Sequence, residues 1–284
     1  MSAFDPNAYR DASLANWEEA ASGWIRRQEG VRELGMPVSR WMLDAVSPQP
    51  GERVLELAAG LGETGMLAAE QVAPLGGVII SDQAEAMLEG ARARAGELGL
   101  SNVEFQVLGA EWIDLPLASV DVVLCRWGYM LLADPATGLG ESRRVLRPGG
   151  RLALAVWDSV QHNPWALLPG LELVERGLSS PPSPSTPGPF ALGDPERVRE
   201  LLAGAGFDAI EVQAIDLVHA HPSFDSFWET TLDISRGFHD AVMGRPENEI
   251  GEIRASLAAR TEAYRAADGS LALPGRTLVA SAHA

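Results

Sequence analysis

No lysine occurs anywhere in the chain, and all 22 basic side chains are arginine. Without an ε-ammonium there is no Schiff-base chemistry, no pyridoxal-phosphate anchor and no GK[ST] phosphate loop. Cysteine is nearly absent as well: Cys125 stands alone, which excludes an intrachain disulfide and a multi-cysteine zinc site and fits a reducing compartment. The five histidines are scattered, with no HExxH pair, so no metal site is expected. No apolar run is long enough to span a bilayer. The N-terminal MSAFDPNAYRDASLANWEEA is acidic and polar, unlike a secretory signal, so the reading is a cytoplasmic protein. Positive charge is also in short supply, with 39 acidic residues against 22 basic ones and a net charge of −17. Such a surface repels phosphate backbones and anionic headgroups, which argues against nucleic acid as a partner.

Apolar side chains are plentiful. They make up 46% of 284 residues, enough to bury a core in one large α/β domain or two small ones. Trp17, Ala20, Ala21 and Trp24 recur at helical spacing, as do Val38, Trp41, Met42 and Val46, so residues 1–50 read as a helical lid ending at Ser47-Pro48-Gln49-Pro50-Gly51. Beyond it, short apolar runs at 54–58, 78–81, 103–108, 120–125 and 152–157 alternate with amphipathic helical stretches. The alternation predicts an α/β fold, a doubly wound, Rossmann-like, mostly parallel sheet covered by helices on both faces. The core is expected over 51–217, with a loop insert at 158–193 that holds a Pro/Ser-rich run at 179–189. Asp194-Pro195 starts a helix, 210–218 reads as a strand, 218–270 as a helical cap insert, and 271–284 supplies the final strand. No internal repeat is visible.

The stretch Val54-Leu55-Glu56-Leu57-Ala58-Ala59-Gly60-Leu61-Gly62-Glu63-Thr64-Gly65 ends a strand and opens a helix. Its glycines permit a tight turn and a close ligand approach. Gly60, Gly62 and Gly65 also satisfy GxGxxG, and Asp82 ends the next strand, where a carboxylate can hold ribose hydroxyls. An NAD enzyme and an S-adenosylmethionine enzyme both need that arrangement. Glu56 separates them: an anion beside the turn opposes a pyrophosphate and favours a cofactor carrying an ammonium and a sulfonium.

The segments VLELAAGLGETG, GGVIISDQAEAML, NVEFQVLGAEWIDLP, DVVLCRWGYMLL and ESRRVLRPGGRLALAVW resemble, in order and spacing, the successive motifs of class I S-adenosylmethionine-dependent methyltransferases. The resemblance covers about residues 51–157, with weaker support from PGPFALGDPERVRELLAGAGF, and is greatest to the branch that contains the ubiquinone and menaquinone biosynthesis methyltransferases. It implies that Glu56, Ala58, Gly60 and Gly62 line the methionine and ribose end of the cofactor. Asp82 would hold the ribose hydroxyls, with Gln83 and Met87 beside the adenosine. Ala110, Glu111 and Trp112 would flank the adenine, and Arg126 with Trp127 would lie under the methionine portion. One position departs from the pattern: Gly109 stands where relatives often carry Asp.

Methyl transfer from a sulfonium is an in-line displacement whose electrophile arrives activated, so the motifs identify the cofactor and leave the acceptor open. The expected acceptor is a small apolar or aromatic molecule methylated at oxygen or carbon. His162, just past the fifth strand, is a candidate base, the alternative being a loop histidine bonded to main chain. His219 and His221 after the sixth strand have a similar case. Tyr9, Trp17 and Trp24 are candidates for a lid whose aromatic faces favour a sulfonium, or else pack an amphipathic helix. Phe227 and Trp228, with Phe190, Phe224 and Phe238, are candidates for an apolar substrate enclosure. The rivals are an NAD-dependent oxidoreductase and a non-catalytic S-adenosylmethionine-binding protein. Oligomeric state is left open.

Overall fold

A computed structural model describes residues 4–181 and 186–284. The chain runs α1 (Pro6–Arg26), α2 (Gln28–Val46), β1 (Arg53–Glu56), α3 (Glu63–Val72), β2 (Gly77–Asp82), α4 (Glu85–Glu97), β3 (Val103–Val107) and β4 (Val120–Arg126). It continues through α5 (Pro135–Val145), β5 (Leu146–Trp157), α6 (Pro164–Glu175), α7 (Pro195–Gly204), β6 (Asp208–His221), α8 (Phe224–Ile234), α9 (Arg236–Met243), α10 (Glu247–Thr261) and β7 (Leu271–His283).

The seven strands form one sheet in the order β3-β2-β1-β4-β5-β7-β6. Neighbours pair in parallel from β3 to β5, whereas β7 runs antiparallel to both β5 and β6. The central strands read as nearly continuous apolar runs because both faces are covered: Val54, Leu55, Val122, Val123, Leu124 and Ala153 are all fully buried. Helices begin where the sequence supplies caps. Asp5-Pro6, Asp134-Pro135 and Asp194-Pro195 each place an aspartate at the N-cap and proline in the first turn, and the carboxylates accept main-chain N–H groups of Asn7, Ala136 and Glu196.

The sheet is a doubly wound α/β fold flanked by helices, as the alternation predicts. Two details differ from that reading. Residues 158–193, expected as loop, contain α6, which starts on Pro164 at its first turn and tolerates a second proline, Pro169, inside it. Strand β6 runs past the expected 210–218, because it pairs with β7, which lies within the expected 271–284, from Glu211↔Ser281 out to His221↔Leu271, well beyond the end of β5 at Trp157↔Thr277. This two-stranded extension carries a second, smaller apolar core, in which Leu271 and Leu273 meet Leu173 of α6, Phe227 and Trp228 of α8, Phe238 of α9 and Leu257 of α10. The cap therefore stands over the carboxyl edge of the sheet, where ligands of open α/β folds bind. Of the Pro/Ser-rich run, Pro182 to Ser185 lie outside the described residues.

Candidate functional site

Between β1 and α3 the chain turns through residues that only glycine adopts freely. Gly60 has φ +55° and Gly62 φ +78°. A Cβ at Gly60 would meet nothing within 4 Å, so the main chain there borders open space. Gly62 does a different job: it caps α3, and a Cβ on it would come within 3.2 to 3.3 Å of Ile80, Met66 and Ala91. Two non-glycine residues share the left-handed conformation, Ala58 at φ +49° after β1 and Trp127 at φ +62° after β4. Strain of this kind costs about 1–3 kcal/mol per residue and gathers at functional sites.

Both of these residues, with Gly60, line a cavity of about 110 Å³ over the carboxyl ends of β1, β2 and β4. Asp82, at the end of β2, points into it. Its Oδ2 accepts the Gly60 N–H at 2.8 Å and its Oδ1 the Ala84 N–H at 3.0 Å, and burial raises its pKa. Each carboxylate oxygen retains a further acceptor position for a ligand. Gln83, Met87, Ala110 and Glu111 complete this side.

Opposite them stands Arg126. Its Nη2 lies 3.1 Å from Glu63 Oε2, its guanidinium sits 4.8 Å over the Trp127 ring, and its Nη1 is buried without a partner. Gly35 of α2 makes room for that nitrogen, since a Cβ there would fall 1.7 Å from it. An unpaired guanidinium N–H in such a buried position is costly.

Helix α1 closes the cavity from above. Tyr9 donates to the Leu131 carbonyl at 2.9 Å, Arg10 holds both oxygens of Glu111 at 2.8 and 3.0 Å, and Gln83 donates to Ser13 at 3.2 Å. Trp17 and Trp24, edge to face at 5.6 Å, fill the underside, and all three expected lid residues line the cavity.

Residues 48–176 match the family model described as a methyltransferase domain. Over 177 residues the chain is 32% identical to a demethylmenaquinone methyltransferase of Deinococcus radiodurans, a match covering 58% of this chain and 70% of that enzyme. The chain belongs to the S-adenosylmethionine-dependent methyltransferases. Aklanonic acid methyltransferase DauC of a Streptomyces species is 36% identical over 147 residues, 52% of this chain and 66% of that protein. Among solved structures, the YcgJ protein of Bacillus subtilis superposes with a TM-score of 0.57 at 22% identity, covering 86% of this chain and 97% of that one, a likeness of fold. The chain spans 34% to 66% of the length of the first curated relatives it matches.

The methyltransferase cavity offers what S-adenosylmethionine requires. Asp82 presents acceptors for a diol, Arg126 a cation at the opposite wall, Gly60 an unobstructed main chain, and Trp17, Trp24 and Trp127 aromatic faces for a cation. Three of the expected contacts stand elsewhere. Glu56 is 1% exposed and lies behind the turn, where its Oε2 accepts the Gly65 N–H at 2.9 Å; burial pushes its pKa up to about 8 against the opposing pull of Arg126. Gly62 packs into the core as described. Trp112 is 79% exposed, because the tight reversal from Gly109 to Trp112 turns the indole away from the cavity that Ala110 and Glu111 face. Glu111 is committed to Arg10 and to the Asp134 N–H at 2.7 Å, so it fastens the lid. Arg10, Ser13 and Glu63 escaped the sequence reading, since nothing local marks a contact made across 60 to 100 residues of chain.

A second cavity, about 390 Å³, opens in the cap between α6, α8, α9 and the β6–β7 extension. Trp165, Phe190, Phe227, Phe238, His219 and His221 line it. Trp228 does not; it packs edge to face on Phe238 at 5.6 Å within the cap core. His162 lines neither cavity. Its side chain is half exposed and its Nδ1 lies 3.0 Å from Asp158 Oδ2. His219 and His221 are held neutral by burial, with pKa values pushed down to about 3 and about 4. The walls of the two cavities are in contact. Trp157 stacks on Trp127 at 4.4 Å and touches the rings of Trp165 at 5.0 Å and His219 at 5.8 Å. Trp24 of the lid donates its Nε1–H to the carbonyl of Ile234, a residue that lines the cap cavity.

Proposed function

We propose that this chain moves a methyl group from S-adenosylmethionine to a small, uncharged, apolar or aromatic acceptor, at oxygen or carbon. The observation that carries the reading is the cap cavity beside the cofactor cavity. Its volume falls in the range of roughly 300–1,000 Å³ that small-molecule sites occupy. It is lined by aromatic rings and, among the described residues, by no acidic or basic side chain other than two neutral histidines. An ammonium acceptor would be left there without a counter-charge, which favours oxygen or carbon over an amine. The net charge of −17 supports a small molecule over nucleic acid.

When bound, S-adenosylmethionine supplies an electrophilic methyl group that needs no further activation. The chain's own residues bind, align and exclude water. Asp82 and Arg126 hold the two ends of the cofactor, and the Ala58–Gly62 turn passes beneath it. The tryptophans keep the space dry. Trp24 belongs both to the lid and to the wall between the cavities, so an outward shift of α1 joins them and brings the acceptor into line.

Incubation of the protein with methyl-labelled S-adenosylmethionine and a small-molecule extract should place label in an organic-soluble product, and Asp82→Ala should reduce that incorporation by on the order of 100-fold through cofactor affinity. Label-free extract alongside tight binding of S-adenosylhomocysteine would leave a non-catalytic cofactor-binding protein.

A further inference from the structure

The cap cavity holds an imidazole with unmet hydrogen-bonding capacity. His219 is 9% exposed, its Nε2 is buried without a partner, and the ring makes no hydrogen bond among the described residues. It is fixed by stacking: the ring lies 4.4 Å from Trp165 at an interplanar angle of 19°. Gly275 of β7 creates the space, because a Cβ there would sit 2.9 Å from His219 Nε2 and 3.4 Å from Trp165 Nε1. A glycine inside a strand, serving such a close approach, marks a deliberate fit. Three other polar groups of the lining are already engaged, while His221 and Thr230 share the cavity with His219. The Trp165 N–H donates to Asn163 Oδ1 at 3.0 Å, Thr231 Oγ1 donates to the Phe227 carbonyl at 2.8 Å, and Ser235 Oγ accepts the Phe238 N–H at 3.4 Å.

We propose that His219 is the specificity-determining residue of the cap cavity, selecting a flat aromatic acceptor that carries a neutral hydroxyl or carbonyl for the imidazole to hydrogen-bond. The proposal rests on reading this cavity as the acceptor site. Its Nε2 is sealed against Gly275, so Nδ1 is the nitrogen left to a ligand: unprotonated it accepts from a phenolic hydroxyl, protonated it donates to a ring carbonyl. Burial keeps His219 uncharged, so a carboxylate finds no cation there and is rejected by desolvation. Stacking between Trp165 and the cavity sets the plane in which a fused-ring ligand lies. The alternative use of this residue, as a general base, is disfavoured by the same burial: an imidazole with a pKa of about 3 draws little from a hydroxyl proton near neutrality.

The test is a binding measurement without cofactor or turnover, using 2-naphthol, 2-methylnaphthalene and 2-naphthoate as probes in calorimetry. The wild-type chain should bind 2-naphthol at least tenfold more tightly than 2-methylnaphthalene and should not measurably bind 2-naphthoate. In His219→Phe the two neutral ligands should come within about twofold of each other, with S-adenosylhomocysteine affinity unchanged as the check on folding. Gly275→Ala, which pushes the imidazole out of place, should weaken 2-naphthol severalfold and leave 2-methylnaphthalene alone. Equal affinity of the two neutral ligands for the wild-type chain overturns the proposal without any variant. So does an undiminished preference in His219→Phe. If 2-naphthol binds through His219 while no extract component is methylated, it is the methyl-transfer reading that fails and the binding site that stands.

Discussion

Glu56 shows how one side chain can serve a site without touching the ligand. Its carboxyl is sealed behind the glycine turn, anchors the start of α3 through Gly65, and lies in the field of Arg126. Its pKa is raised by burial from an ordinary carboxyl value to about 8. The folded state therefore keeps a proton that the unfolded chain releases above about pH 4.5, and the stability this provides is lost as pH rises toward 8. Glu56→Gln has no such slope. Its stability relative to wild type should rise between pH 5.5 and pH 8, by up to about 3 kcal/mol, in parallel denaturant melts at the two values. A difference that stays flat with pH would mean that Glu56 is ionised in the folded protein. That residue was legible in the sequence as part of the motif, and so was the acid at Asp82. Its orientation was not, because spacing along a strand does not say which side of a turn a carboxyl is drawn to. Trp112 makes the same point: the motif places Ala110, Glu111 and Trp112 together, and one tight reversal sends the indole outward.

At the scale of elements, the parallel strands were readable because burial on both faces leaves uninterrupted runs such as Val120 to Cys125, and turn residues punctuate them. Helix α6 was not, since Pro164 and Pro169 read as breakers unless the first is known to occupy the opening turn. The full length of β6 was hidden because its outer end is stabilised by β7 and by the cap, and a pairing partner is not written into one strand alone. Helix α1 was visible as an amphipathic segment, but its fastening to the core by Arg10, Tyr9 and Ser13 depends on tertiary contacts. Those contacts are few and polar, and the Arg10 side chain is 41% exposed, so its ion pair with Glu111 contributes little to global stability. Helix α1 roofs the cavity, so these contacts lie on the way out for a ligand that leaves beneath it. Arg10→Ala should accordingly accelerate release of S-adenosylhomocysteine by about threefold to tenfold in stopped-flow measurements while changing unfolding free energy by less than about 1 kcal/mol. An unchanged release rate would show that the lid is not held by this contact.

Across the whole molecule, a mostly parallel sheet and a helical cap meet along one edge, and the cavity over β1, β2 and β4 lies under α1 next to that cap. Among the described residues no helix is long and apolar enough to cross a membrane. A ligand that binds only the folded chain stabilises it by mass action, so S-adenosylhomocysteine at 100 times its dissociation constant should add about 2.7 kcal/mol, seen as a rise of several degrees in the melting temperature. NAD at the same concentration should leave the melting temperature unchanged, since Glu63 and Glu111 line the cavity and the chain has no lysine to meet a pyrophosphate.

The tryptophan row between the cavities has a consequence of another kind. Trp127 and Trp157 are nearly coplanar stacked, 13° apart, and Trp157 leans on Trp165. Indoles this close share their excited states, so the row behaves as one extended chromophore whose ultraviolet circular dichroism depends on the angles within it. One end borders the cavity that Asp82 lines and the other the cap cavity, and a tilt imposed at either end alters the signal of the whole. A ligand seated in either cavity should therefore change the near-ultraviolet circular dichroism of the unlabelled protein.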